Sequence, residues 1–376
     1  MTLAQPPVWF ILIAFLCALG PLVFLHELGH YLVGRWFGVG AERFSIGFGP
    51  EIAGWTDKRG TRWTIGALPL GGFVKFTGDA DAASRPDAAP LSEADRARSF
   101  HLKPVWQRFL IVLAGPAMNF IVAILIFAGF LLAYGMPQSA PVVGRSMPGS
   151  AAEAAGFRPG DRIVSIAGRE VDSFEDIRRI VAMRPDETLA IRFQRGGVEQ
   201  EKPVAIRSDQ MRDEFGQSAR IGRLGIMPAE RELVSVPLLR VIPEATVLTF
   251  KITRAMIDGL VQIIVGDRSV KELGGTLKMA QMAGQQASLG LVQFIQLAAL
   301  FSINLGFINL LPVPMLDGGH LFFYAIEGIR RRPVSERAQE WAFRGGFALI
   351  LALLMFTTIN DLGSFGVWDR LGQLVG

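Results

Sequence analysis

The chain has 376 residues, 50% of them hydrophobic and 19% charged, against roughly 25% charged in an average soluble domain, and its mean hydropathy is +0.35. This balance excludes intrinsic disorder, a nucleic-acid-binding tail protein and an ordinary cytosolic enzyme, and leaves a membrane protein with a soluble part. The net charge of +4 says little about partners, and the single cysteine, Cys17, excludes a disulfide framework, so a metal site must draw on histidine and carboxylate ligands.

Four apolar stretches approach the ~20 residues that span a bilayer. The first runs from about Val8 into the His26 region. No Lys or Arg precedes Arg35 and the run is long, so a retained span is expected and not a cleaved signal peptide. At its inner end stands His26-Glu27-Leu28-Gly29-His30. Residues i and i+4 share one face of a helix, so both imidazoles can grip one divalent cation. Glu27 lies beside the first ligand, where it can take a proton from an attacking water. Short motifs match by chance, and a surface helix could carry this one harmlessly. Three ionisable groups in five residues of an apolar span, however, are costly and point to function.

From about 43 to 78, alternation of Phe44, Ile46, Phe48, Ile52, Trp63, Ile65 and Val74 with many glycines predicts short strands and hairpins. This element sits at the cytoplasmic face, either dipping into the bilayer or lying on its surface. His101 falls in a polar stretch and is expected to be a solvated loop residue. The second span runs from about Val105 to Tyr134, closing a first region, 1–137.

Residues 138–210 have the composition of a compact soluble module. Pro148-Gly149-Ser150-Ala151-Ala152, Ala155-Gly156-Phe157, Pro159-Gly160-Asp161-Arg162-Ile163 and Val164-Ser165-Ile166-Ala167-Gly168 give a short helix, tight turns and a hairpin. A helix over Asp176–Met183 and a strand over Leu189–Phe193 follow. The module resembles a PDZ domain of the bacterial, protease-associated type. PDZ domains take extended peptides by strand addition; the alternative is a size gate or spacer without a peptide ligand. Residues 211–288 are expected to be a linker with an interfacial amphipathic helix, since Lys251, Arg254, Asp258 and Gln262 share one face of Val247–Val265.

The third span, about Leu289 to Leu311, runs into Asn309-Leu310-Leu311-Pro312-Val313-Pro314-Met315-Leu316-Asp317-Gly318-Gly319-His320. Two prolines break the helix, and the glycine pair allows close backbone approach. A catalytic zinc takes three protein ligands and keeps one open position. Asp317 is the better candidate for the third ligand, with His320 as the alternative. The fourth span runs from about Trp341 to Ile359, closing the region 289–376. Basic residues flank the connection after span one and the loop between spans three and four, while the tail holds only Arg370. Both termini and the 138–210 module are therefore expected outside, in the periplasm.

The paired motifs His26-Glu27-Leu28-Gly29-His30 and Asn309…Leu316-Asp317-Gly318-Gly319 resemble the site-2 protease family of intramembrane zinc metalloproteases. The outer module between spans two and three is similar to that of the bacterial regulator-of-sigma-E protease branch. Leu68-Pro69-Leu70-Gly71-Gly72-Phe73-Val74-Lys75, Gly115-Pro116-Ala117-Met118-Asn119, Gly274 to Gly284 and Ser302-Ile303-Asn304-Leu305-Gly306 also match. Enteric members of the branch carry two tandem PDZ domains; this chain has room for one.

The resemblance implies a fold of four transmembrane α-helices with a membrane-associated β-hairpin element and one periplasmic α/β PDZ domain, in a bacterial inner membrane. It implies one Zn²⁺ held by His26, His30 and Asp317, with Glu27 as catalytic base and the site near the cytoplasmic side. Substrate backbone would be met by Gly71 and Gly72 through strand addition and by the amides of Asn304 and Asn309, with Pro312 and Pro314 shaping the break. The implied partners are the lipid bilayer, single-span membrane substrates such as trimmed anti-sigma factors and remnant signal peptides, and an extended peptide at the PDZ groove, with no nucleic acid. Two other readings stand beside this one. A catalytically idle PDZ-bearing scaffold would be favoured by a lost His or Glu. A metal transporter would need polar groups along a path across several spans.

Overall fold

The protein is seen in a computed structural model that describes residues 6–80, 92–212, 218–229, 231–266, 269–270 and 274–364; Arg370 lies outside them. In chain order the first elements are α1 (Val8–Trp36), β1 (Ala41–Thr56), β2 (Arg62–Phe76), α2 (Glu93–Arg98) and α3 (Val105–Tyr134). Then come β3 (Met136–Ser139), β4 (Val143–Ser146), α4 (Ala151–Ala154), β5 (Arg162–Ile166), β6 (Arg169–Glu170), α5 (Phe174–Ala182), β7 (Thr188–Arg195) and β8 (Val198–Ala205). The strands β9 (Arg207–Arg212), β10 (Ser218–Arg223), β11 (Ile226–Pro228) and β12 (Arg231–Val234) precede five helices: α6 (Leu238–Val265), α7 (Thr276–Leu289), α8 (Leu291–Leu310), α9 (Asp317–Arg330) and α10 (Glu336–Ser364). The chain divides into two compact units, one formed by Met1–Gly129 with Ile242–Gly376 and the other by Phe130–Val241.

In the first unit, α1, α3, α8 and α10 are long and apolar enough to cross a membrane. α1 outruns the expected span: it runs on through Pro21, Gly29 and Gly34 to Trp36, and the chain turns away at Gly38, whose φ is +72°. The His26–His30 motif thus sits inside the helix and not at its end. Ala14, Phe15, Ala18 and Leu22 of α1 pack against Ala280 and Ala283 of α7 and against Leu297 and Phe301 of α8. α7 corrects the expectation of a linker over 211–288. Its small residues at Ala280, Ala283, Gly284 and Ala287 let it lie close on α1, where a Cβ on Gly284 would come within 2.6 Å of Ile11. α6 begins at Leu238, nine residues before the expected Val247, and carries Pro243 inside it.

The β-element is a sheet folded on itself. Ala41–Ile46 pairs antiparallel with Gly72–Phe76, and Glu51–Thr56 with Arg62–Gly66. The same Arg43–Ile46 stretch also partners Arg62–Ile65, with both numbers rising together. Gly47 and Gly49, both at positive φ, bend β1 between its two pairings. Phe44 is buried in the middle, stacked on Trp63 at 4.3 Å and edge-on to Tyr31. Asp57 closes the turn by accepting from the backbone of Arg59 and Thr61 and from Trp63 Nε1.

The second unit is built on the four-stranded sheet β6-β5-β7-β8. Leu189, Ile191 and Phe193 alternate inward along β7 and meet Ile177, Ile180 and Val181 of α5 in one core. Ser173 and Asp176 form a reciprocal capping box that starts α5. The unit reaches beyond the expected 138–210. β3 and β4 pair in turn with β12 and β11, so residues 218–229 and 231–234, expected as linker, close the unit. Short strands broken by Gly225 and Pro228 hide this pairing from periodicity.

Candidate metal centre

The site is assembled where α1 crosses α3. The close approach depends on two glycines. A Cβ on Gly29 would stand 2.4 Å from Ala114 O, and one on Gly115 would stand 2.2 Å from His30 Nε2. His26, Glu27 and His30 are all buried. His30 Nδ1 donates to the carbonyl of Ile111 at 2.9 Å, so in the neutral ring Nε2 carries the lone pair. The amide nitrogen of Asn119 lies 3.0 Å from His26 Nδ1, and Ser302 Oγ of α8 donates to Asn119 O at 2.7 Å.

Asp317 reaches the cluster from the first position of α9. The turn after α8 is compact: a Cβ on Gly318 would meet Leu311 O at 2.2 Å, and one on Gly319 would meet Val313 O at 2.5 Å. The glycine pair therefore does what the sequence suggested. Met315 adopts φ +88°, a strained conformation for a side-chain-bearing residue, and the helix N-terminus favours a carboxylate at Asp317.

Asp317 Oδ2 lies 3.1 Å from His26 Nε2 and 3.4 Å from His30 Nε2, and the two Nε2 atoms are 3.2 Å apart. Ligands at the Zn–N and Zn–O distances of ~2.0–2.1 Å, set tetrahedrally, stand about 3.3–3.4 Å apart. The triangle fits a zinc ion. Asp317 Oδ2 is also buried without a hydrogen-bond partner. An acceptor-only carboxylate oxygen facing imidazole lone pairs needs a cation. Among the described residues, His26, His30 and Asp317 are the group whose ligand atoms converge in this way.

The other expected residues fall at different distances from this centre. Gly72 lies against the base: a Cβ there would stand 2.9 Å from Glu27 Cγ. Gly71 has φ +108° and faces the Phe48 ring. Asn304 and Asn309 are half-buried on α8; five residues apart, they point about 140° from each other around the helix, so one straight strand of substrate does not meet both side by side. Pro312 and Pro314 lie in the turn, and Pro314 O comes within 2.3 Å of where a Cβ of Gly346 would be. His320 is outside the metal group, its ring packed near Phe343 and Tyr324. His101 is not a free loop residue: its Nε2 lies 2.9 Å from Oδ1 of the buried Asp79. In the sequence Gly115 and Asn119 fit a family pattern, and the structure shows their place beside the two histidines. The signal was present, since a polar amide inside an apolar span needs a partner.

Comparison with known proteins agrees with this geometry. The pattern of Peptidase family M50 matches residues 14–353. A protein of Agrobacterium fabrum named "putative zinc metalloprotease" is 44% identical over 361 residues, covering 94% of this chain and 96% of its own. The Metalloprotease MmpA of Caulobacter vibrioides is 38% identical over 390 residues, covering 96% and 98%. Among solved structures, a PDZ domain of an SdrC-like protein from Listeria monocytogenes aligns with 25% of this chain and 90% of its own, at 16% identity and a TM-score of 0.19, a likeness too slight to bear on the fold. With four long apolar helices among its described residues and its His-His-Asp triangle, the chain belongs to peptidase family M50, the site-2 protease family, and is a membrane zinc metalloprotease.

Proposed function

We propose that this protein is an intramembrane endopeptidase that cuts the transmembrane segments of single-span membrane proteins, anti-sigma factors or remnant signal peptides among them. The observation that carries the proposal is the convergence of His26, His30 and Asp317 between apolar spans, with the carboxylate of Glu27 on the same helix. One zinc per chain, held by those three residues, would polarise the scissile carbonyl and lower the pKa of water. Glu27 accepts the proton of the attacking water and passes it to the leaving amine. Burial of His26, Glu27 and His30 keeps bulk water from competing.

A transmembrane helix hides its carbonyls in its own hydrogen bonds and must unwind before attack. Its freed backbone groups then need partners, each unmet group costing several kcal/mol in lipid. Strand addition beside Gly71 and Gly72 supplies them next to Glu27. The amides of Asn304 and Asn309 contribute at separate points along the substrate, and Pro312 and Pro314 hold the turn that carries Asp317.

In this reading both termini and the Phe130–Val241 unit face the periplasm of a bacterial inner membrane, an orientation supported by the arginine-rich connections. That unit is taken as PDZ-type from its helices, hairpin and sheet, with an extended peptide as its ligand. The amphipathic α6 lies at the membrane interface.

The test is co-expression with a tagged single-span reporter whose outer domain is already truncated. The wild type should yield a shorter cytoplasmic fragment, and Glu27→Gln should slow its formation by about 10²–10⁴-fold. Equal fragments from both would assign the cleavage to another protease and favour the scaffold reading.

A further inference from the structure

The metal triangle leaves one question of chemistry open at His26. Its Nε2 faces both His30 Nε2 and Asp317 Oδ2, and it can ligate only if it carries no proton. The tautomer is therefore decided at the other ring nitrogen, Nδ1, and the group there is Asn119. His30 has no such freedom, because a backbone carbonyl can only accept.

A primary amide offers two faces, and a half-turn of the side chain exchanges them with little change of shape. With Nδ2 toward His26, the ring would accept at Nδ1 and carry its proton at Nε2, in the middle of the triangle. The same orientation leaves Asn119 Oδ1 buried with no hydrogen-bond partner, although Asn119 as a whole is fully buried. With Oδ1 toward His26, Nδ1–H donates to it, the buried oxygen gains a donor, and Nε2 is free for a cation. One rotation thus gives the orphan oxygen a donor, moves the amide NH2 to the position that oxygen leaves, and makes the triangle fit for zinc.

We propose that Asn119 is a positioning residue for the metal centre, its side-chain Oδ1 accepting the Nδ1–H of His26 and so fixing the tautomer and ring angle that His26 needs as a ligand. The proposal rests on the metalloprotease reading above. The backbone of Asn119 is held from a second helix, through Ser302 Oγ on its carbonyl, so the amide is aimed by the crossing of α3 and α8. Ligating histidines depend on such partners, whose loss costs about 10–100-fold in metal affinity.

The test is zinc affinity of the purified full chain by chelator competition, with helical content followed in parallel. Asn119→Leu should weaken zinc binding by about 10–100-fold. Asn119→Asp, whose carboxylate accepts and cannot donate, should stay within a few-fold of the wild type. Wild-type affinity in a folded Asn119→Leu would overturn the proposal. So would a folded Asn119→Asp chain weaker than the wild type by about 10-fold or more, because packing or a donor role would then explain the loss; this second variant decides the matter if Asn119→Leu does not fold. A wild-type chain that takes up no zinc would overturn the underlying metalloprotease reading, and is told apart by its occurring before any substitution.

Discussion

Two aspartates, one in each unit, make the most instructive contrast in the molecule. Asp161 is buried, yet each of its oxygens is met: Arg195 Nε donates to Oδ1 at 2.7 Å and Arg195 Nη2 to Oδ2 at 2.6 Å, while the backbone N–H of Arg158 donates at 2.8 Å. Burial opposes its ionisation, but the Arg195 fork and the Arg158 N–H together hold the carboxyl below its usual range. Asp317 has the opposite surroundings. Its Oδ2 meets two imidazole nitrogens and no hydrogen-bond donor. A carboxylate with all its donors is a fastener; one turned toward lone pairs is half of a binding site.

That contrast predicts which substitutions should reach the metal and which should not. The largest effect belongs to Gly115→Ala. Its new Cβ would fall 2.2 Å from His30 Nε2, so the ring must move and bound zinc should be lost, with proteolysis reduced by about 10²-fold or more. Gly129→Ala on the same helix meets nothing within 4 Å and should leave both unchanged. Zinc content and reporter cleavage of the two variants, measured side by side, separate a local steric effect from a general weakening of α3.

Asp161→Asn should act on the other unit alone. Hydrogen exchange in β5 and β7 should rise while zinc content stays at the wild-type level. The pH dependence has a definite sign. The folded carboxyl is depressed below the ordinary value of about 3.9, so its contribution is fully present above that value. It fades as pH falls toward the depressed one. The gap between wild type and Asp161→Asn should therefore be constant near neutrality and shrink below about pH 4. A gap that widened on acidification would contradict the ion-pair account.

Much of this architecture can be read from residue patterns, and the exceptions have physical causes. The four spans are legible because each is a long apolar run, although the end of α1 is not: hydropathy falls at His26 while helix geometry continues to Trp36. The helix α7 is too short and too mixed to register as a span, and it is held by a stripe of small residues whose effect shows only against Ile11 and Phe15 of α1. Strands β11 and β12 are three and four residues long and owe their existence to partners about 90 residues away. At the site, the metal-binding types stand out by spacing and chemistry. The supporting residues do not. Gly115 matters through an atom it lacks, and Asn119 through the rotation of a single amide, and neither property has a sequence period.

The central claim is that His26, His30 and Asp317 form one three-ligand metal centre. It is tested most directly by measuring zinc per chain in the purified wild type and in Asp317→Asn, each confirmed to be folded. About one zinc per chain in the wild type, falling to a small fraction in the variant, is the predicted result. Equal zinc in the two proteins would contradict it, since Asp317 would then stand beside the metal without holding it.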